Sequence, residues 1–197
     1  MGNHIKELLM NRVFISLLAV MALVVGLALP QTAKAADDFY TENEILNAAR
    51  GFFGETTGGL AAAVEKVFGE LGKPNGYILG EEVAGAFFVG LRYGNGELNI
   101  KNGPKRKVYW QGPSVGFDFG GNAAKSMTLV YGIKSADEIF KRYAGVSGSF
   151  YFVAGVGVNY QQNGDVILAP MRTGMGLRAG ANVGYLHYGP EHSWIPF

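Results

Sequence analysis

Glycine recurs every few residues through the C-terminal two thirds of this chain, inside segments that otherwise alternate like β-strands. Of its 30 glycines, 22 follow residue 72. Glycine weakens a strand unless the backbone must bend sharply or approach another backbone closely. Both happen where a sheet curls into a small barrel. The spacing predicts eight or nine strands from Gly76 onward. Gly85 to Tyr93 and Glu97 to Lys101 flank Gly94-Asn95-Gly96, read as a hairpin turn. Lys107 to Gln111, Ser114 to Gly120, Ser126 to Tyr131 and Asp165 to Ala169 follow. In Val146 to Tyr160, one face is expected to carry Val146, Phe150, Phe152, Ala154, Val156, Val158 and Tyr160. Gly174 to Tyr188 reads as a last long strand. The large residues Phe117, Phe119, Phe150 and Phe152 are expected to fill the barrel interior.

Ahead of the strands the period changes from two to 3.6. Thr41-Glu42-Asn43-Glu44 has the spacing of a capping box, and Ile45, Leu46, Ala49, Phe52 and Phe53 follow on one helical face. Leu60, Ala63, Val64, Val67, Phe68 and Leu71 form a second apolar stripe, closed by Gly72-Lys73-Pro74. Helices this short are marginal alone in water, so both must pack on the β region. A third, short helix is expected after Ser135, where Ser135-Ala136-Asp137-Glu138 repeats the capping-box pattern. The fold class is therefore mainly β: a small, closed or nearly closed barrel of about eight strands, two N-terminal amphipathic helices and one inserted helix.

Residues 1–35 read as a cleavable signal peptide. Lys6 and Arg12 precede the apolar run Val13 to Leu29, and Ala33-Lys34-Ala35 supplies the small residues of a cleavage site. Either Met1 or Met10 can serve as the start. The expected organisation is a signal peptide at 1–35, a helical segment at 36–72 and the barrel at 73–197, with nothing spanning the membrane after cleavage. Processing would remove Lys6, Arg12, Lys34 and Glu7, leaving 14 basic and 15 acidic residues. A near-neutral domain has no electrostatic case for nucleic acid. The chain has no cysteine, which excludes disulfides and cysteine-zinc sites.

Candidate chemistry is sparse. Gly112-Pro113-Ser114-Val115-Gly116 matches the G-x-S-x-G nucleophile elbow, with Asp165 and His187 or His192 in the right order behind it. An elbow requires a strained strand-to-helix turn, whereas here an alternating strand follows. Gly174-Met175-Gly176-Leu177-Arg178-Ala179 fits G-x-G-x-x-A, but no helix follows to receive a pyrophosphate. The two histidines do not make a metal site without further ligands. No cofactor is expected. Lys101, Lys105, Arg106 and Lys107 cluster around Gly103-Pro104, a candidate contact for anionic lipid or polysaccharide. Lys125, Arg172 and Arg178 sit amid apolar and glycine residues. A cation facing a barrel interior is costly unless paired or wet, so these three, with Asp118, are candidate ligand contacts.

The run Tyr109-Trp110-Gln111-Gly112-Pro113-Ser114-Val115-Gly116-Phe117-Asp118-Phe119-Gly120-Gly121-Asn122 to Leu129-Val130-Tyr131 resembles the envelope-integrity protein A family of proteobacteria. Gly145 to Ser149, Pro170 to Gly174, Gly180 to Leu186 and the closing Trp194-Ile195-Pro196-Phe197 extend the match across most of the β region. The resemblance implies a soluble periplasmic protein with a small β-barrel, needed for resistance to envelope stress, and it carries over no catalytic residues. More weakly, Gly112 to Val130 is similar to the glycine-rich core of SYLF lipid-binding domains.

The leading expectation is a non-enzymatic periplasmic protein that supports envelope integrity and binds an envelope lipid or polysaccharide. Two other classes fit parts of the sequence: an integral outer-membrane barrel, suggested by export, alternation and terminal Phe197, and a serine hydrolase using Ser114. Oligomeric state is not encoded in any pattern found.

Overall fold

The computed structural model describes residues 37–54, 58–117, 124–173 and 184–193, with backbone alone at 84–90 and 114–117. Two helices lead: α1 (Glu42–Phe53) and α2 (Gly58–Leu71). The predicted capping box closes α1. The Glu44 N–H donates to Thr41 Oγ1 at 3.3 Å, and the Thr41 N–H donates to Glu44 Oε2 at 2.8 Å. Gly72, at φ 76, ends α2, with its N–H on the Phe68 carbonyl at 2.9 Å. Gly51 and Gly69 lie in these helices with nothing near the place where a Cβ would stand. Gly51→Ala and Gly69→Ala should each stabilise the fold by about 0.5–1 kcal/mol, read as a higher urea midpoint.

The strands are β1 (Gly76–Ile100), β2 (Lys105–Phe117), β3 (Ala124–Tyr131), β4 (Arg142–Gly145), β5 (Tyr151–Val153), β6 (Val156–Val158), β7 (Gln161–Asn163), β8 (Val166–Thr173) and β9 (Tyr185–Gly189). A single 3₁₀ turn, η1 (Ala136–Ile139), precedes β4. β1 is two limbs in one element. The Lys101 N–H donates to the Asn75 carbonyl, and Gly80 lies against Asn95 and Gly96. A straight strand would separate positions 80 and 95 by roughly 50 Å, so β1 must double back. Its first limb pairs with β3 (Ile78 opposite Thr128) and its second with β2 (Leu98 opposite Arg106). Pairing continues β2-β9-β4-β7-β8 and returns from β8 to β3. With the limbs of β1 counted separately, the antiparallel barrel is closed and eight-stranded. The β5–β6 hairpin hangs from β8 alongside β7.

Pro170 occupies the step where β8 changes partner, between Met171 opposite Val158 and Leu168 opposite Gln161. A residue without an N–H fits that gap in the ladder.

Two apolar clusters result. Inside the barrel are Ile78, Leu98, Val108, Trp110, Val130, Tyr143, Val166, Leu168, Leu186 and Tyr188, with Ile133 and Ile139 plugging one end beside η1. Outside, Ile45, Ala49, Leu60, Ala63, Val64 and Val67 of the helices pack on Met127, Leu129, Ala169 and Met171. β3 and β8 are thus apolar on both faces, one toward the interior and one beneath the helices.

Four local expectations are corrected. Gly94-Asn95-Gly96 is not a turn: it lies within β1 opposite Trp110, Tyr109 and Val108, and the reversal into β2 falls at 101–104. The second capping box does not form. Ser135 makes no side-chain cap, and Glu138 instead accepts from the Lys134 N–H, because one 3₁₀ turn is all that precedes β4. Val146 to Tyr160 is not one strand. The chain reverses at Ala154 (φ 46) and Gly155 (φ 85). Phe150 and Phe152, expected inside, are 37 % and 45 % exposed. The aromatic filling of the barrel comes from Trp110, Tyr143 and Tyr188 instead. Phe117 is described by backbone alone, and Phe119 lies outside the described residues.

Candidate functional site

Alternation along β1 turns Ile78, Gly80 and Glu82 inward on the first limb, and Arg92, Gly94, Gly96 and Leu98 inward on the second. β2 contributes Val108 and Trp110, and β8 contributes Leu168 and Arg172. The Trp110 indole lies over Gly80 and Gly94, where any side chain would collide with it. Its Nε1–H donates to Glu82 Oε2 at 2.9 Å. The other carboxylate oxygen, Oε1, meets Arg172 Nε at 2.9 Å and Arg92 Nε at 3.1 Å. Arg172 Nη1 also lies 3.5 Å from Asn159 Oδ1, at the edge of hydrogen-bond range. Glu82 is buried to 2 % exposure and Arg92 to 7 %, while the Arg172 side chain, at 17 %, reaches solvent.

Burial alone would raise the Glu82 pKa, but Arg172, Arg92 and the Trp110 hydrogen bond outweigh it and hold the carboxyl below its usual range. The carboxylate therefore stays ionised. Among the described residues, Glu82 thus faces two guanidiniums, Arg92 and Arg172. Tyr188 stands nearby, its ionisation suppressed chiefly by burial.

The β5–β6 hairpin extends the wall next to Arg172. Arg172 pairs with Gly157, and Gly157 with Phe152. The Phe152 ring lies over Gly157, close enough that a Cβ there would sit 3.3 Å from it. Phe150 stacks edge-on against Phe152 at 5.0 Å. An exposed pair of phenyl rings thus shares one sheet face with the solvent-reaching guanidinium.

The other sequence candidates fall elsewhere. Lys125 points away from the interior: its Nζ donates to the Phe52 carbonyl at 2.7 Å, at the C-terminal end of α1, where a cation suits the helix dipole. Asp118 and Arg178 lie outside the described residues, as does the G-x-G-x-x-A segment. The basic hairpin is largely compensated from within. Lys101 pairs with Glu44 at 2.5 Å, Lys105 with Glu97 at 2.8 Å and Arg106 with Asp137 at 3.2 Å, while Lys107 lies over the Tyr109 ring. Ser114 lies within continuous β2 opposite Gly90, so the strained turn of a nucleophile elbow is not formed there. His192 packs beside Tyr93 and Tyr109, and His187 sits in β9 opposite Arg142. Among the described residues no group of three His, Cys, Asp or Glu could hold a metal ion.

Glu82, Arg92, Trp110 and Asn159 were not marked by sequence reasoning. The signal for two of them was present. Glu82 shares the parity of Ile78, and Arg92 that of Leu98, which places both on the inward face.

The profile of envelope integrity protein A matches residues 38–197, covering both helices and the whole barrel. The chain belongs to the envelope integrity protein A family. A crystal structure from Brucella abortus, described as a β-barrel-like uncharacterised protein, is 48 % identical to it. That likeness covers 81 % of this chain and 99 % of the other, with a TM-score of 0.73. No curated protein matches the chain.

Proposed function

We propose that this member of the envelope integrity protein A family is an exported, non-enzymatic periplasmic protein that sustains the envelope under stress by holding an anionic envelope lipid. On this reading residues 1–35 are a cleaved signal, and the helical segment up to residue 72 serves to cover one wall of the barrel. The observation that carries the proposal is the sheet face shared by Arg172 and the Phe150–Phe152 pair. A guanidinium offers planar, forked donors suited to phosphate or carboxylate. Exposed phenyl rings beside it suit an acyl chain, which gains roughly 0.8 kcal/mol per buried CH₂.

An aqueous setting fits the outer surface. Asn95, Glu97, Lys105, Lys107, Arg142 and Gln162 face outward and are exposed, where a membrane barrel needs an apolar belt. The outward faces of β3 and β8 are covered by the helices.

Native mass spectrometry of the protein drawn from its own periplasm tests the reading. A lipid-sized adduct is expected on the wild-type protein, and Arg172→Gln should remove most of it. A glycan adduct that is lost with Arg172→Gln would refute the lipid reading, and a wild-type protein that carries no lipid and takes up no added anionic phospholipid would refute lipid binding altogether.

A further inference from the structure

A second feature lies on the outside of the barrel, between α2 and the segment that leads into the β5–β6 hairpin. It is a cleft of about 440 Å³ lined by Lys66, Glu70, Ser147, Gly148, Ser149, Tyr151 and Tyr160, inside the roughly 300–1,000 Å³ range of small-molecule sites. Gly148, at φ 75, turns the loop so that Ser149 folds back. Ser149 Oγ donates to the Val146 carbonyl at 2.7 Å and accepts from the Tyr160 N–H at 2.9 Å. Across the cleft, Lys66 Nζ pairs with Glu70 Oε1 at 2.8 Å and stands 4.6 Å from the centre of the Tyr151 ring. The Tyr160 hydroxyl donates to Glu70 Oε2, and the Tyr151 and Tyr160 hydroxyls are 2.8 Å apart. The exposed Ser147 stands on the rim.

We infer that this cleft is a binding site for an uncharged sugar unit of a glycan. The wall carries one ammonium and one carboxylate, so it has no net charge. An anion entering it would meet Glu70 and a cation would meet Lys66. What the wall does offer is hydroxyls, each both donor and acceptor, together with one strong donor, one strong acceptor and the tyrosine rings. A sugar ring presents the same mixture, with several hydroxyls and an apolar C–H face. It can replace the solvent around the Lys66–Glu70–Tyr160 network bond for bond, leaving no buried polar group unmatched. The network fixes each donor before the ligand arrives, which lowers the ordering cost of binding. This site shares no residue with the barrel cluster around Glu82 and stands or falls separately from it.

Titration calorimetry on the purified protein, as its host processes it, decides the matter with tri-N-acetylglucosamine, maltotriose and inorganic phosphate as probes. Saturable binding of at least one saccharide is expected, with phosphate inert. Glu70→Gln and Tyr151→Phe should each weaken it by about tenfold, the loss of one good hydrogen bond. Arg172→Gln should leave it unchanged, because the barrel cluster takes no part. Glu70 is exposed and Tyr151 half-buried, and each substitution keeps the shape of its side chain and removes only a charge or a hydroxyl, so the fold survives them. The inference is overturned if neither saccharide binds at millimolar concentration, if phosphate binds in their place, or if binding is indifferent to Glu70→Gln and Tyr151→Phe.

Discussion

Glu82→Gln should cost this protein about 3–5 kcal/mol of folding stability, the usual range when one partner of a buried ion pair is removed. Glutamine fills the same volume and can still accept from Trp110 Nε1. What it cannot do is neutralise Arg92 and Arg172, whose Nε groups stand 3.1 and 2.9 Å from one carboxylate oxygen. Both guanidiniums would then lose the Glu82 charge that they share in the barrel interior. Set against a total stability of roughly 5–15 kcal/mol for a domain of this kind, the loss is large. Urea unfolding of the two proteins would read it directly. The companion variant Glu82→Met, Arg92→Leu, Arg172→Met should behave differently. Removing all three charges together escapes the uncompensated-charge penalty, and such replacements are often near neutral or stabilising. A stable triple variant that has lost its lipid adduct would mean the trio is kept for binding and not for folding.

The same carboxylate sets a pH dependence. Its folded pKa lies below the unfolded value, which is near 4.3 for glutamate. A depressed carboxylate contributes stability that is fully present above the unfolded pKa and is lost as pH falls through the folded one. Wild-type protein should therefore lose its advantage over Glu82→Gln progressively below about pH 4. Glu44, held at about 2 chiefly by its hydrogen bond to Lys101 and then by Thr41, acts in the same direction. It is largely exposed and present in both proteins, so it cancels from the difference.

The helical segment and the barrel class could be read from residues because local and tertiary demands agree there. The Leu60 to Leu71 stripe is both a helix pattern and the face that packs on β3 and β8, and Thr41 with Glu44 closes its helix within four residues. Errors arose where local and tertiary demands part. Gly94-Asn95-Gly96 carries a strong local turn signal, yet Gly94 admits the Trp110 indole from another strand and Gly96 admits the Leu79–Gly80 backbone of the first limb of β1. In Val146 to Tyr160 the alternation itself misleads. A two-residue turn at Ala154-Gly155 aligns Val153 with Val156 and Phe152 with Gly157, so odd positions before the turn share a face with even positions after it. Tyr151, Val153, Val156 and Val158 therefore pack toward the helices, and Phe150 and Phe152 come out beside Arg172. The ion cluster was half legible. Arg172 stood out among apolar neighbours, but its partner Glu82 lies 90 residues away, and only barrel closure brings them together.

Gly80 is where that closure is most exposed to a single methyl group. A Cβ at this position would stand 2.2 Å from the Asn95 carbonyl oxygen, 2.7 Å from the Trp110 ring and 2.8 Å from the Gly96 Cα. Two of the three obstacles are backbone, and the third is the buried indole that fills the barrel. None is the loose end of a flexible side chain that could swing aside. Relief would require the two limbs of β1 to part, which would also pull Glu82, two residues on, away from its arginines. Gly80→Ala should therefore destabilise by at least the ~3 kcal/mol upper end of ordinary overpacking, with a fall in the thermal midpoint of about 6–12 °C or more at roughly 2–4 °C per kcal/mol for a domain of this size. Trp110→Phe in the same chain should recover only part of the loss, because the smaller ring clears one obstacle and leaves both backbone contacts. A Gly80→Ala protein that melts within a degree of wild type would mean that the limbs of β1 do not meet at all. In that event the eight-stranded circuit, and with it the burial of Glu82, could not stand as described.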